Sequence, residues 1–319
     1  MSRLGGPLLD RLLIAPEVSA ALRAGAPVVA LESTLITHGL PHPLNFEVAR
    51  AAEHAVRVEG AVPATVAIRD GRLMVGLSEE ELVALASAMV DTLGKAARPN
   101  LAAALAAPGW AGATVSATMI AAHVAGITVF ATGGIGGVHH GALAGRAPTF
   151  DISPDLEELA RTAMAVVSAG PKAILDVRAT IEYLETRGVP VVTIGQEDVP
   201  GFFSRASDVR SPLSVADVEA AARLTRHHLD LALGAGILLC VPVPESEALS
   251  PEVAQSAIER AVAEAEGERI SGPRLTPWLL TRVAQLSEGA SVRANRALIV
   301  NNARVAGQLA ARLQGVNAR

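Results

Sequence analysis

Short runs of aliphatic and β-branched residues recur along this chain, and most are followed by a longer segment in which apolar residues return every three or four positions. The runs at 27–31, 63–68, 127–131, 165–168, 189–194 and 236–241 have strand length and little polar alternation, which predicts strands covered on both faces. Between them, 46–58, 78–91, 173–186 and 215–233 carry helical spacing, and Ser78 with Glu81 three residues on forms a capping box. Asp70-Gly71 marks a tight turn between 63–68 and 73–76, predicting a local hairpin. Such alternation restricts the chain to an α/β fold, with a central mostly parallel or mixed sheet flanked by helices (α/β/α). Segments 251–266, 277–286 and 292–313 contain no strand and form a helical C-terminal part that packs across the same core. Residues 1–24 are read as a leader segment with a short helix. No repeat, linker or charge block divides the rest, so 1–319 is expected to be a single domain.

Charge and hydropathy remove several classes of partner. A net charge of -5 gives no electrostatic footprint for a nucleic-acid polymer. Residues 101–138 carry no Lys, Arg, Asp or Glu and are long enough to span a bilayer. Trp110-Ala-Gly112 and Thr132-Gly-Gly134 interrupt them, however, and 127–131 is short and β-branched, so helix, turn and buried strand are expected rather than a membrane span. The stretch 7–14 is broken by Asp10 and Arg11 and does not read as a secretory signal. The one cysteine, Cys240, sits in an apolar run, which fits burial in a reducing compartment; the cytoplasm is the expected location.

Basic residues are more informative. Of the 27 Lys and Arg, only Lys95 and Lys172 are lysine. A guanidinium stays protonated, whereas a desolvated lysine amine can act as a nucleophile. Lys172 follows strand 165–168 and the turn Ser168-Ala-Gly-Pro171, and the predicted helix begins directly after it. The positive end of a helix there, with burial, would disfavour its ammonium form. Glu32 follows strand 27–31, at the carboxyl end where α/β sheets bind ligands. Thr132-Gly-Gly-Ile-Gly-Gly137 follows another strand, and its glycines can turn backbone N–H groups toward an anion; its spacing is not that of a dinucleotide fingerprint. His139 and His140 lie just beyond. In Asp151-Ile-Ser-Pro-Asp155, Ser153 is read as an N-cap, Pro154 as the first helical residue and Asp155 as a first-turn acid. Asp151 is left without a structural role there, and beside Asp155 it offers hard-oxygen ligands for Mn²⁺ or Mg²⁺. His38 and His42, separated by Pro41, have no regular ligand geometry and are treated as loop residues.

These residues together resemble the pseudouridine-5'-phosphate glycosidase family. The resemblance is carried by Ala30-Leu-Glu-Ser-Thr34, Val62-Pro-Ala-Thr65, Ala131-Thr-Gly-Gly-Ile-Gly-Gly-Val-His139, Asp151-Ile-Ser-Pro-Asp155 and Ser168-Ala-Gly-Pro-Lys172. It continues through Glu182-Tyr-Leu-Glu185, Phe202-Phe-Ser-Arg205, Thr276-Pro-Trp-Leu-Leu280 and Arg293-Ala-Asn295. It implies reversible cleavage of pseudouridine 5'-phosphate to uracil and ribose 5-phosphate through a lysine imine, with one Mn²⁺ per subunit in a homotrimer. It implies Glu32 as proton donor, Lys172 as nucleophile and Asp151 as metal ligand. Lys95, Val115, Ser153, Pro154 and Asp155 correspond to substrate contacts, with Thr132, His139 and Asn295 placed at the same site. Two stretches depart from the family pattern. Segment 141–148 is longer, and Ala96-Ala-Arg98-Pro-Asn100 replaces a more basic stretch after Lys95, where Arg98 could take over a phosphate contact. A Schiff-base lyase or aldolase for another phosphorylated sugar would need the same lysine, acid and phosphate loop. A non-catalytic phosphosugar-binding regulator would need only the loop.

Overall fold

The computed structural model describes residues 6–143, 148–268, 270 and 275–314. In chain order its strands are β1 (Leu12–Ile14), β2 (Val28–Leu31), β3 (Val62–Arg69), β4 (Arg72–Val75), β5 (Gly94–Ala96), β6 (Trp110–Ala113), β7 (Val129–Ala131), β8 (Val138–His139), β9 (Ala165–Ser168), β10 (Leu175–Asp176), β11 (Val191–Ile194), β12 (Leu213–Val215) and β13 (Ile237–Cys240). Its α-helices are α1 (Gly6–Leu9), α2 (Pro16–Arg23), α3 (Leu44–Val58), α4 (Glu79–Ser87), α5 (Leu101–Ala106), α6 (Val115–Ala125), α7 (Pro154–Leu159), α8 (Val177–Thr186), α9 (Val218–Asp230), α10 (Pro251–Gly267), α11 (Leu275–Leu286) and α12 (Ala290–Gln314).

The main sheet runs β1-β4-β3-β2-β7-β9-β13-β11-β12, with β6 paired to β3 and β5 to β6. From β3 through β2 to β12 every pairing is parallel, while β3 meets β4 and β6 antiparallel. This is the expected mixed, mostly parallel sheet. Its central strands send alternate side chains into two cores, as a period of two demands. Leu31, Ala131, Val167 and Leu239 face the core built with α3, α9, α10, α11 and α12. Ala30, Phe130, Val166 and Leu238 face the other, with α2, α6, α7 and α8. Helix α12 packs on α3 and crosses β2, β7 and β9, so the helical C-terminal part closes one face of the sheet. Cys240 is fully buried and burial pushes its thiol up to about 12, which leaves it chemically inert. No helix among the described residues is long and apolar enough to cross a membrane.

Besides the short strands β5, β8, β10 and β12, which the sequence reading does not contain, three further segments differ from it. Residues 12–14 of the leader form β1, parallel to β4 at the sheet edge. Trp110-Ala-Gly-Ala113, read as a break, is β6; it is poor in β-branched residues and forms because β3 and β5 pair with it on either side. Helix α8 starts at Val177 rather than directly after Lys172, because Asp176 is its N-cap and accepts the Ala179 N–H at 2.9 Å. The helix dipole therefore does not act next to Lys172.

Candidate functional site

Strand β2 ends at Leu31, and the next residue, Glu32, is only 5% exposed. Its two carboxylate oxygens each receive a hydroxyl, one from Thr34 and the other from Thr132 at the end of neighbouring β7. A buried carboxyl group gripped this way has a fixed orientation toward the cavity that it lines. Thr132 is fixed in turn. Its N–H bonds the Val167 carbonyl of β9 at 3.0 Å, and Asn302 Nδ2 of α12 donates to the Thr132 carbonyl at 2.9 Å and to that of Gly133 at 3.1 Å.

The glycine loop after β7 runs alongside the turn after β9. The Ile135 N–H bonds the Gly170 carbonyl at 3.1 Å and the Lys172 N–H bonds the Ile135 carbonyl at 3.0 Å, so Lys172 is docked against the loop. Glu32, Lys95 and Lys172 line one cavity of about 610 Å³, open solvent at its mouth included. Gly133 and Gly134 form part of its wall, as do Thr34, His38, Phe202, Asn295 and Ile299. Among the described residues neither lysine is in an ion pair. Burial first, and then the charge of Lys172, hold Lys95 below the ordinary lysine range, against the opposing pull of Glu32 and Asp155.

Ser153 and Pro154 cap and open α7 as expected, with Ser153 Oγ accepting the Asp155 N–H at 3.2 Å. Asp155 is more than a first-turn acid. Its buried carboxylate accepts the Ser116 N–H of α6 at 3.0 Å and the Gly136 N–H at 2.9 Å, tying the glycine loop to the start of α6. Only glycine fits at 136: a Cβ there would lie 2.1 Å from Ser153 Oγ and 2.8 Å from Asp155 Oδ2. Val115 opens α6 with its side chain buried, so any contact it makes with a ligand runs through the main chain. Arg98 pairs with the buried Glu158 of α7 and is spent there rather than on a ligand.

Asp151 is exposed, and its carbonyl accepts the His139 N–H at 3.1 Å. Burial holds the His139 imidazole below its ordinary range, while the charge of Asp151 pulls the other way. Among the described residues no three His, Cys, Asp or Glu side chains cluster as a metal site. Of the two carboxylates expected for a cation, Asp155 is turned to backbone N–H groups and Asp151 is the exposed one. One carboxylate suits a hard ion that keeps most of its waters. Segment 141–148 lies outside the described residues at 144–147.

The structure thus gathers Glu32, Lys95, Lys172 and Asn295 around one cavity, with Thr132 bonded to Glu32. It sets Asp155 and Ser153 behind the glycine loop. Sequence reasoning missed Thr34, His38 and Asn302. The pairing of Asn302 with residues 132 and 133 leaves no local trace, while Thr34 and His38 follow directly on the strand-end Glu32.

The family model described as indigoidine synthase A like protein matches residues 17–312. The chain is 49% identical over 303 residues to a pseudouridine-5'-phosphate glycosidase of Paracoccus denitrificans, covering 94% of this chain and 97% of that one. It is 52% identical over 309 residues to the protein of the same name from Methylobacterium nodulans, covering 97% and 89%. Among solved structures, the prealnumycin C-glycosynthase AlnA in complex with ribulose 5-phosphate superposes with a TM-score of 0.87 at 39% identity, over 96% of this chain and 98% of that one. An indigoidine synthase A-like protein from Thermotoga maritima superposes with a TM-score of 0.83 at 32% identity, over 95% and 96%. With near full-length matches at these identities, the chain belongs to the indigoidine synthase A-like family, among its pseudouridine-5'-phosphate glycosidases.

Proposed function

We propose that this protein reversibly cleaves the carbon–carbon glycosidic bond of pseudouridine 5'-phosphate, giving uracil and ribose 5-phosphate, with Lys172 as nucleophile and Glu32 as proton donor. The observation that carries this reading is the shared cavity: a buried, doubly hydrogen-bonded carboxyl group and two lysines, neither in an ion pair among the described residues, line the same cavity. A C-glycoside has no heteroatom leaving group at C1', so cleavage needs an electron donor on C1', such as an amine lone pair that can form C=N, and a proton for the departing uracil carbon. The Lys172 amine bonds to C1' as the ring oxygen leaves, and the ring oxygen takes the proton that the attacking amine gives up. The bond from C1' to uracil then breaks, its electron pair accepts the Glu32 proton, and the sugar is left as an imine of Lys172. Water hydrolyses the imine, supplies the aldehyde oxygen of ribose 5-phosphate and restores the amine. The related C-glycosynthase with a pentulose 5-phosphate bound supports a pentose phosphate as the sugar partner.

Lys95 serves the phosphate as a point charge. Asn295 lines the same cavity; the main chain at Val115, the capped turn at Ser153, Pro154 and Asp155, and His139 are the further substrate contacts of this reading. Asp151 would hold a Mn²⁺ ion, which when bound supplies a hard Lewis acid for substrate oxygens. The same reading includes a homotrimer in the cytoplasm, which light scattering and fractionation check. The decisive test is incubation with pseudouridine 5'-phosphate and Mn²⁺, with and without borohydride. Uracil release and a pentose phosphate adduct trapped on Lys172 are expected, and both are lost in Lys172→Ala. Full turnover in that variant would remove the imine mechanism.

A further inference from the structure

The turn that follows Glu32 is a π-helical segment, Leu35–Gly39, and it carries a histidine that the mechanism above does not use. Single π turns are uncommon and concentrate at functional sites. This one turns Ile36 and Thr37 into the protein and leaves Thr34 and His38 on the cavity wall. The Thr37 hydroxyl lies 3.2 Å from the Ser33 carbonyl and 2.7 Å from His38 Nδ1; where it donates to the carbonyl, it accepts the Nδ1–H of His38. That assignment leaves Nε2 with the lone pair, and among the described residues it has no protein partner.

The arrangement is built around Lys95. Thr37 fits because residue 112 is glycine: a Cβ there would lie 2.2 Å from Thr37 Oγ1. Gly112 is also the β6 residue in register with Lys95 of β5. The same strand position therefore seats the histidine's anchor and the lysine. Among the described residues, the titratable side chains lining the cavity with His38 are Glu32, Lys95 and Lys172. Of the elements packed on the turn, α3, α4 and β6 add nothing to that lining and α11 adds Leu280. Burial, and then the charge of Lys95, hold the imidazole below the ordinary histidine range.

We propose that His38 is a further substrate-binding residue, whose Nε2 takes up a proton when a phosphate dianion binds beside Lys95. This rests on reading the cavity as a pentose 5-phosphate site. Two added negative charges reverse the balance that keeps the ring neutral, since an opposite charge nearby favours the cation. The bound phosphate then gains a second cationic donor, and the empty site is spared three positive charges side by side.

The probe is ribitol 5-phosphate, which carries the phosphate and hydroxyls but no carbonyl and so cannot form an imine. Binding to the full-length protein is measured by calorimetry from about pH 6.5 to about 8.5, above the second phosphate ionisation near ~6, in buffers of differing ionisation enthalpy. The wild type is expected to take up protons on binding and to lose affinity by up to about tenfold per pH unit as pH rises. His38→Gln, which keeps a hydrogen-bonding side chain but cannot be protonated, is expected to bind with neither effect. In the wild type, ¹⁵N-histidine spectra should move His38 from the neutral to the imidazolium pattern as ligand is added, a readout independent of how the variant folds. Binding without proton uptake, uptake that persists in His38→Gln, or a His38 ring that stays neutral would overturn the proposal and leave the phosphosugar site standing. Failure of the wild type to bind ribitol 5-phosphate at all would remove both.

Discussion

Asn302→Leu tests whether α12 holds the proton donor in place. Asn302 is fully buried, and its Nδ2 donates to the carbonyls of Thr132 and Gly133, while its Oδ1 has no partner among the described residues. Leucine has similar volume, so the cavity contribution is small. The Gly133 carbonyl keeps the Ala169 N–H at 2.9 Å, but the Thr132 carbonyl has no other donor among the described residues. Orphaning that carbonyl costs about 1–3 kcal/mol and losing the second bond about 1 kcal/mol, offset by about 1 kcal/mol from removing the unsatisfied Oδ1. The net expectation is a loss of about 1–3 kcal/mol, read as a lower midpoint in urea unfolding. Thr132 then loses one of its restraints, and through it the Glu32 carboxyl group loses its fixed orientation. Turnover should fall about ten- to a hundredfold with a smaller change in KM, as sub-ångström misplacement of a catalytic group does. A variant that loses the stability but keeps its turnover would refute the coupling of Asn302 to Glu32 through Thr132.

Two other substitutions probe the support of the site. Gly136→Ala forces a Cβ into Ser153 Oγ and Asp155 Oδ2, so a loss of about 1–3 kcal/mol and at least about tenfold in kcat/KM is expected; wild-type kinetics would show that the loop is free to move away. Glu53 of α3 is half-buried, accepts the Thr65 hydroxyl at 2.5 Å, and is raised above the ordinary carboxyl range chiefly by burial. Its proton is held more tightly in the folded state, so stability falls as pH rises from the unfolded carboxyl range through the folded one. Glu53→Gln should therefore stabilise the protein at pH ~7 but not at pH ~4, and equal gains at both would contradict the burial argument.

What the sequence made legible follows from where information is local. A strand buried on both faces writes its whole length as an apolar run, so β2, β7, β9 and β13 stand out, and with them the strand-end positions of Glu32 and Lys172. The start of α8 was misplaced because 173–175 are as apolar as the helix; only Asp176, a cap residue, separates them. Strand β6 was missed because its small residues fit a sheet only once β3 and β5 flank it. The π turn at 35–39 has no composition of its own, so His38 read as one histidine in a proline-containing loop.

Strand order is the piece no local pattern contains, and it explains the glycines. In the sheet β2, β7 and β9 are neighbours, so Glu32 and Thr132 leave adjacent strands and Lys172 follows the third. Two strand spacings, about 10 Å, separate the ends of β2 and β9 from which the segments bearing Glu32 and Lys172 depart. The segment leaving the middle strand must pass between them under close packing: a Cβ at 133 would lie 3.0 Å from Ile299 Cγ1 of α12, and one at 134 would lie 2.5 Å from Phe202 Cε2 and 3.0 Å from the Gly170 carbonyl. Gly133 and Gly134 form the cavity wall at that point, while Asp155 and Asn302 hold the loop from its two sides. On this argument Gly133 and Gly134 are required less by phosphate affinity than by the close packing of the loop between Glu32 and Lys172.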